Sequence, residues 1–168
     1  MNKSLPHIRP ATYADITRIA EIHVFARRLA YFGIAPDDYL FHENGVCERM
    51  TFFAENLQDN FVYDDGIIKG FVTINPSPDE DAAEYFELQR LYVEPLFQGQ
   101  GIGAALLQFF EQIAAARAFS KTCLWVLEKN TKARGFYEKL GYFPDGASRH
   151  AANYEAMHIR CVKRKAGL

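Results

Sequence analysis

Cysteine is scarce in this chain, and the cysteines it has are badly placed for a framework. Cys47, Cys123 and Cys161 are odd in number, far apart and outside any CxxC pattern. That spacing excludes a disulfide scaffold and a zinc-binding cysteine cluster, and points to a reducing, cytoplasmic compartment. Long apolar runs are missing too. No stretch approaches the roughly 20 residues of a membrane span, and Met1 to Pro10 lacks the apolar core of a secretory leader. Strong net charge is also absent. A formal charge of −2 over 168 residues sets up no global field for nucleic acid or an anionic membrane. His23, His42 and His150 show no metal-ligand spacing, so no metal is expected. There is no internal repeat and no linker. The length suits one domain spanning residues 1–168.

What is present is an ordinary globular balance, 49% hydrophobic and 24% charged, with clear periodicities. Ile8 and Arg9 suit a short first strand. Asp15 to Tyr31 carries an apolar stripe through Ile16, Ile19, Ala20, Ile22, Val24 and Phe25, with Arg27 and Arg28 near its end, and predicts a helix. Gly33 interrupts it, and Asp37 to Phe53 suits one or two shorter helices. Phe61 to Tyr63 and Ile67 to Ile74, around Asp64-Asp65-Gly66, form a hairpin signal. Asn75 to Ala83 reads as a loop, and Glu84 to Val93 as a long strand. Gly101 to Phe119 is a strong helix, with Ile102, Leu106, Phe109 and Ile113 on one stripe. Thr122 to Leu127 is a strand, and Asn130 can cap a short helix ending at Leu140-Gly141. Tyr142 to Ser148 and Asn153 to Val162 complete the strands before a basic tail, Lys163 to Lys165. The order β-α-α-β-β-β-α-β-α-β-β predicts an α/β (α+β type) fold. Its single mixed, mostly antiparallel sheet has six or seven strands, with helices on both faces.

The sharpest segment runs from Leu91 to Ala104, a strand feeding a glycine-rich turn that opens a helix. Glycines let backbone N–H groups converge. The first N–H groups of a helix lack internal partners and lie at its positive end, which suits a phosphate. Gly99-x-Gly101-x-x-Ala104 also satisfies the dinucleotide fingerprint, and Glu128 ends the next strand, so a nicotinamide-binding reductase is one alternative. Against it, Glu94 to Gln98 separate the strand from the first glycine. Too little chain follows Gly103 for further βαβ units, and a hairpin precedes the motif. The P-loop pattern fails, because no Lys-Ser or Lys-Thr follows the glycines.

Gln98-x-x-Gly101-x-Gly103 after Leu91-Tyr92-Val93 resembles the coenzyme A pyrophosphate loop of the GCN5-related N-acetyltransferase (GNAT) superfamily. Asn130-x-x-Ala133-x-x-Phe136-Tyr137 through Gly141-Tyr142 resembles that family's second cofactor-contacting unit. Ile8 to Thr12 with Asp15-Ile16 is similar to its opening. The likeness runs from residue 8 to about residue 162 and is weakest over Tyr31 to Asn60, where the family builds its acceptor pocket.

The resemblance implies an acetyl-CoA-dependent transfer to a primary amine by direct attack on the thioester. It also implies that the strand ending at Val93 splays from Thr122 to Leu127, so that pantetheine reaches free backbone near Leu91, Tyr92 and Val93. Cofactor contacts are expected from Gln98, Gly99, Gln100, Gly101, Ile102, Gly103, Asn130, Ala133 and Phe136. Asn130 and Gly135 each have a plainer reading, as a helix cap and as a neutral surface glycine. Tyr137 matches the tyrosine that protonates the leaving thiolate; its i, i+3, i+4, i+7 spacing with Ala133, Phe136 and Leu140 equally suits a core residue.

An alkylamine with a pKa near about 10 must lose a proton to react. Glu87 is the expected base, on the premise that it shares a strand face with Gln89, Leu91 and Val93. Glu84 and a water relay are the other choices. Phe25, Tyr31, Phe32 and Tyr39 are candidate acceptor-pocket residues. Asp79, Glu80, Asp81, Glu84 and Glu87 suggest steering of a small cationic amine, or only a solvated loop. The partner expected is thus a small-molecule amine, with no nucleic acid and no membrane; a homodimer is left open. A non-catalytic acyl-CoA-binding or regulatory module on the same fold is the other alternative.

Overall fold

The computed structural model describes residues 7–164. Met1 to Pro6 and Lys165 to Leu168 lie outside the described residues, and with them most of the segment read for a leader and the end of the basic tail. The elements are β1 (Ile8–Pro10), α1 (Ile16–Tyr31), α2 (Asp37–Phe41), α3 (Val46–Glu55), β2 (Asn60–Asp64), β3 (Ile68–Pro76), β4 (Tyr85–Val93), α4 (Ile102–Ala116), β5 (Lys121–Leu127), α5 (Thr131–Lys139), β6 (Tyr142–Ala151) and β7 (Ala156–Lys163). The region read as one or two helices is two: Asn44, at φ +53°, and Gly45 separate α2 from α3. The region read as a loop after β3 holds a single 3₁₀ turn, Glu80–Ala82.

One seven-stranded sheet runs in the order β1-β2-β3-β4-β5-β7-β6. Every pairing is antiparallel except β4 with β5. Two cores sandwich the sheet. On one face Ile19, Ala20 and Ile22 of α1 and Phe53 of α3 close over Val62 and Phe71. On the other, Ile102, Leu106, Leu107, Phe110 and Ala114 of α4 cover Val72, Ile74, Phe86, Leu88 and Leu124, with α5 packed beside them. No helix among the described residues is long and apolar enough to cross a membrane.

Asp15 ties the start of α1 to the sheet edge. Its carboxylate accepts from Arg9 Nη1 at 2.7 Å, Arg9 Nη2 at 3.0 Å and the Thr12 amide at 2.7 Å, while Arg9 also grips Asp64 at 2.7 Å. The Arg9 hydrogen bonds outweigh burial and hold Asp15 at about 2. This group is depressed in the fold, so its stabilisation is present above the ordinary carboxylate range and is lost as pH falls through about 2. Asp15→Asn should cost about 2 kcal/mol at pH 7. In denaturant titrations the gap from the parent should narrow as pH drops from 4 toward 2. A gap that stays constant over that range would show that the ion pair contributes nothing.

Candidate active site

The parallel pair β4–β5 is hydrogen-bonded only from Tyr85 opposite Lys121 to Leu88 opposite Leu124. Beyond that both strands continue, to Val93 and to Leu127, without pairing. The cause lies in β4. Thr73 of β3 faces Arg90 while Ile74 faces Leu88, so Gln89 is an extra residue, a bulge that bends the strand and ends its pairing. Backbone groups from Gln89 to Val93 therefore line a cleft instead of a ladder, and a ligand with its own amides can complete them.

That cleft has a volume of about 510 Å³. Its walls are Leu88 to Val93 of β4, Trp125 and Val126 of β5, the Gln98–Gly103 turn with α4, and Asn130, Ala133, Phe136 and Tyr137 around α5. Tyr31, with Ala26, Leu29 and Ala30 of α1, closes the far end. All but two of the expected site residues are brought together here. Gln100, expected as a cofactor contact, is exposed and outside the wall. Glu87 is the other exception.

The glycine turn is built as a phosphate cradle. Gly99 and Gly101 have φ of +79° and +82°, and a Cβ on either would meet nothing within 4 Å. The left-handed backbone demands glycine there, and the space above the loop is open. Gly101 caps α4, whose first-turn N–H groups point into that space. Gln98 steadies the turn by donating to the Val93 carbonyl at 3.3 Å and accepting from Lys132 Nζ at 3.0 Å, which adds a cation at the mouth. Gly103 has a packing role, since a Cβ would press Phe136 at 3.3 Å. Gly135 has no such reason, for nothing lies within 4 Å of its Cβ position.

Asn130 caps α5, its Oδ1 accepting from the Ala133 amide at 3.1 Å. Tyr137 stands in the cleft wall, stacked edge-on to Phe136 at 5.2 Å. Its hydroxyl has no hydrogen-bond partner among the described residues. Burial, then the neighbouring Tyr92, holds its pKa above the ordinary phenol range, so it carries its proton throughout the neutral range.

The bulge corrects one expectation. Leu91 pairs with Val72 and Leu88 with Ile74, on the α4 face, whereas Glu87 pairs with Asn75, Arg90 with Thr73 and Tyr92 with Phe71, on the α1 face. Glu87 therefore does not share a face with Leu91 and Val93. It is buried behind the cleft and accepts from Ser77 Oγ at 2.9 Å. Burial and the charge of Asp79 raise its pKa.

The acidic run is not a free cluster. Asp79 accepts from Trp125 Nε1 at 2.8 Å and Arg149 at 3.0 Å, Asp81 pairs with Arg160 at 2.8 Å, and Glu84 pairs with Lys121. With three of its acids already matched, the loop has little field left to steer a cation.

On the α1 face, Tyr31 and Tyr39 pack edge-on against Tyr154 at 5.2 and 5.0 Å, and the Tyr31 hydroxyl meets that of Tyr92 at 3.3 Å. Phe25 and Phe32 instead point outward and are exposed. Tyr154, on the β6–β7 turn, and Arg90 escaped the sequence reading. Neither belongs to a motif, and only the fold brings them to α1.

Comparison with known proteins agrees with this geometry. The model of the "Acetyltransferase (GNAT) family" matches residues 17–142. An uncharacterized N-acetyltransferase, YuaI of Bacillus subtilis, is 31% identical over 155 residues, covering 91% of this chain and 87% of that protein. Among solved structures, the PaiA N-acetyltransferase of Thermoplasma acidophilum in complex with coenzyme A superposes with a TM-score of 0.71 at 20% identity, over 94% of this chain and 98% of that one. The putative acetyltransferase YncA of Salmonella typhimurium, solved with its cofactor acetyl-CoA, gives 0.65 at 16% identity, over 95% of each chain. The chain belongs to the GCN5-related N-acetyltransferase (GNAT) family and is an N-acetyltransferase.

Proposed function

We propose that this enzyme transfers an acetyl group from acetyl-coenzyme A to the primary amine of a small molecule by direct attack on the thioester. The observation that carries the reading is the unpaired cleft between β4 and β5, which opens at one end onto the Gly99–Gly101 cradle. The cradle and Lys132 suit a pyrophosphate. The free edges of β4 and β5 suit the two amides of pantetheine, with Asn130, Ala133 and Phe136 flanking the arm. The Val93 amide can face the thioester oxygen, as a single donor to the charge that develops on attack. Tyr137 can hydrogen-bond the departing sulfur. A phenol held above its ordinary pKa is a weaker acid than a thiol, so its help is a hydrogen bond to the developing thiolate, and the phenol keeps its proton. No carboxylate of the described residues lines the cleft. Glu87, on the acceptor face just before the sheet parts, is the base we assign, reached through water. Its raised pKa makes it a better base than an exposed carboxylate.

Replacing Gly101 with Trp tests the cradle. The side chain would occupy the space for the pyrophosphate, and coenzyme A binding should fall beyond detection by calorimetry. Forcing a non-glycine residue into a left-handed φ costs roughly 1–2 kcal/mol. The matched control is therefore Gly66→Trp, at a hairpin turn with φ +113° and equally open space, which should bind coenzyme A as the parent does. Unchanged affinity in folded Gly101→Trp would remove the cradle from the site.

A further inference from the structure

Of the eight buried or half-buried arginines among the described residues, four meet acids. Arg9 grips Asp15 and Asp64, Arg18 meets Glu94 at 2.8 Å, Arg134 lies 3.9 Å from Glu138, and Arg160 meets Asp145 and Asp81. Of the other four, Arg28 donates to the Leu40 carbonyl at 2.8 Å, and the remaining three come from three separate elements. Arg27 of α1 is fully buried. It donates to the Asn44 carbonyl at 3.2 Å and to the Tyr39 hydroxyl at 3.5 Å, and its Nε is buried without a partner. Arg49 of α3 donates to Asn44 Oδ1, and its Nε is likewise buried and unpartnered. Arg90 of β4 lines the cleft and has neither a hydrogen bond nor an ion pair among the described residues.

The three converge. Arg49 and Arg90 lie over the same Phe52 ring, at 5.3 and 4.7 Å. Arg27 lies over Tyr39 at 5.2 Å, and Tyr39 packs on Tyr154 beside Tyr31. Burial first, and then the charges of all three, keep His23 neutral between them. The carboxylate acting on Arg90 is Glu87, which acts on it less than Arg49 does and whose Oε2 is held by Ser77. Unmatched guanidiniums in a low-dielectric site are costly. Their forked N–H groups fit a carboxylate or a phosphonate better than any other ligand group.

We infer that the acceptor amine carries an anion of its own, a carboxylate or phosphonate, which Arg90 binds at the acceptor end of the cleft with Arg27 and Arg49 behind it. The inference rests on the acetyl-transfer reading above and narrows its acceptor to amino acids and aminoalkylphosphonates. A polyamine would meet three like charges there. Arg90 follows the Gln89 bulge, where β4 leaves β5. An anion it holds leaves only a short reach to the thioester, which favours an amine close to the acid group.

Thiol release from acetyl-CoA should be measured with the proteinogenic L-amino acids, their carboxamides, 2-aminoethylphosphonate and spermidine. The best acid should exceed its own carboxamide by about 10²-fold in kcat/KM, from one or two charge-assisted contacts. Arg90→Met, which keeps the stem but not the charge, should erase that preference and leave the KM for acetyl-CoA unchanged. Arg90→Lys should restore part of it. A carboxamide or spermidine used as well as the acid overturns the inference, whatever the rate. Should no amine in the set react, the same acids are titrated calorimetrically into the coenzyme A-loaded protein. Binding that Arg90→Met abolishes upholds the anion site, and no binding overturns it. Failure to bind coenzyme A at all is a different result, and it strikes the acetyl-transfer reading alone.

Discussion

Tyr137→Phe should lower kcat by roughly 10- to 10³-fold while leaving coenzyme A affinity and the thermal midpoint close to the parent values. The phenol ring packs on Phe136, and the substitution keeps it. Only the hydroxyl goes, and it has no protein partner among the described residues. Removing an unpartnered hydroxyl at a cleft wall leaves no buried group unsatisfied, so no large stability loss follows. A slow enzyme could then not be ascribed to misfolding. The loss should appear in kcat and not in the KM for acetyl-CoA, because a bond to the sulfur strengthens only as negative charge develops there. It should also shrink with acyl donors whose thiols are more acidic, since a better leaving group needs less help. A kcat within a factor of two of the parent would make Tyr137 a packing residue, consistent with its spacing from Ala133 and Leu140.

The cofactor side of this cleft is legible in the sequence because it is local. The Gln98–Gly103 turn, the helix it opens and the Asn130 cap with Phe136 and Tyr137 are short segments, and their chemistry follows from residue order alone. The hairpin and the strand–helix alternation are equally local, and the sheet follows from them. The acceptor side is not local. Its aromatic and guanidinium groups come from α1, α2, α3, β4 and the β6–β7 turn, and no spacing rule links Arg27 to Arg90 or Tyr39 to Tyr154. Arg27 and Arg28, at the end of a predicted helix, read as dipole-matched surface charge, yet Arg27 is buried. The strand face was misjudged for a sharper reason. Period-2 alternation holds only for an unbroken strand. One inserted residue, Gln89, moves Glu87 to the opposite face from Leu91, and nothing in Glu87-Leu88-Gln89-Arg90-Leu91 marks the insertion. The partners of the acidic run, Lys121, Arg149 and Arg160, are likewise hidden from the sequence because they are distant along the chain.

Glu87→Gln should lower kcat at neutral pH by about 10²-fold, the lower range for loss of a general base. Glutamine keeps the shape and can still bond Ser77, but it cannot take a proton. The pH profile separates this role from a structural one. In the parent, activity needs the carboxylate in its charged form, so kcat/KM should rise with pH through the pKa of Glu87. Burial and Asp79 place that limb above the ordinary carboxylate range, and the partial counter-effect of Ser77, Arg149 and Arg160 does not reverse the direction. In the variant the limb has no carboxylate behind it, and the rate should keep climbing toward the pKa of the amine itself, near about 10. The two profiles should therefore converge at high pH, where the amine arrives neutral and needs no base. A purely structural Glu87 predicts a different pair of curves, lowered by a constant factor at every pH. That parallel outcome would leave solvent water as the only proton acceptor for the attack, and the convergent one would assign the proton to Glu87.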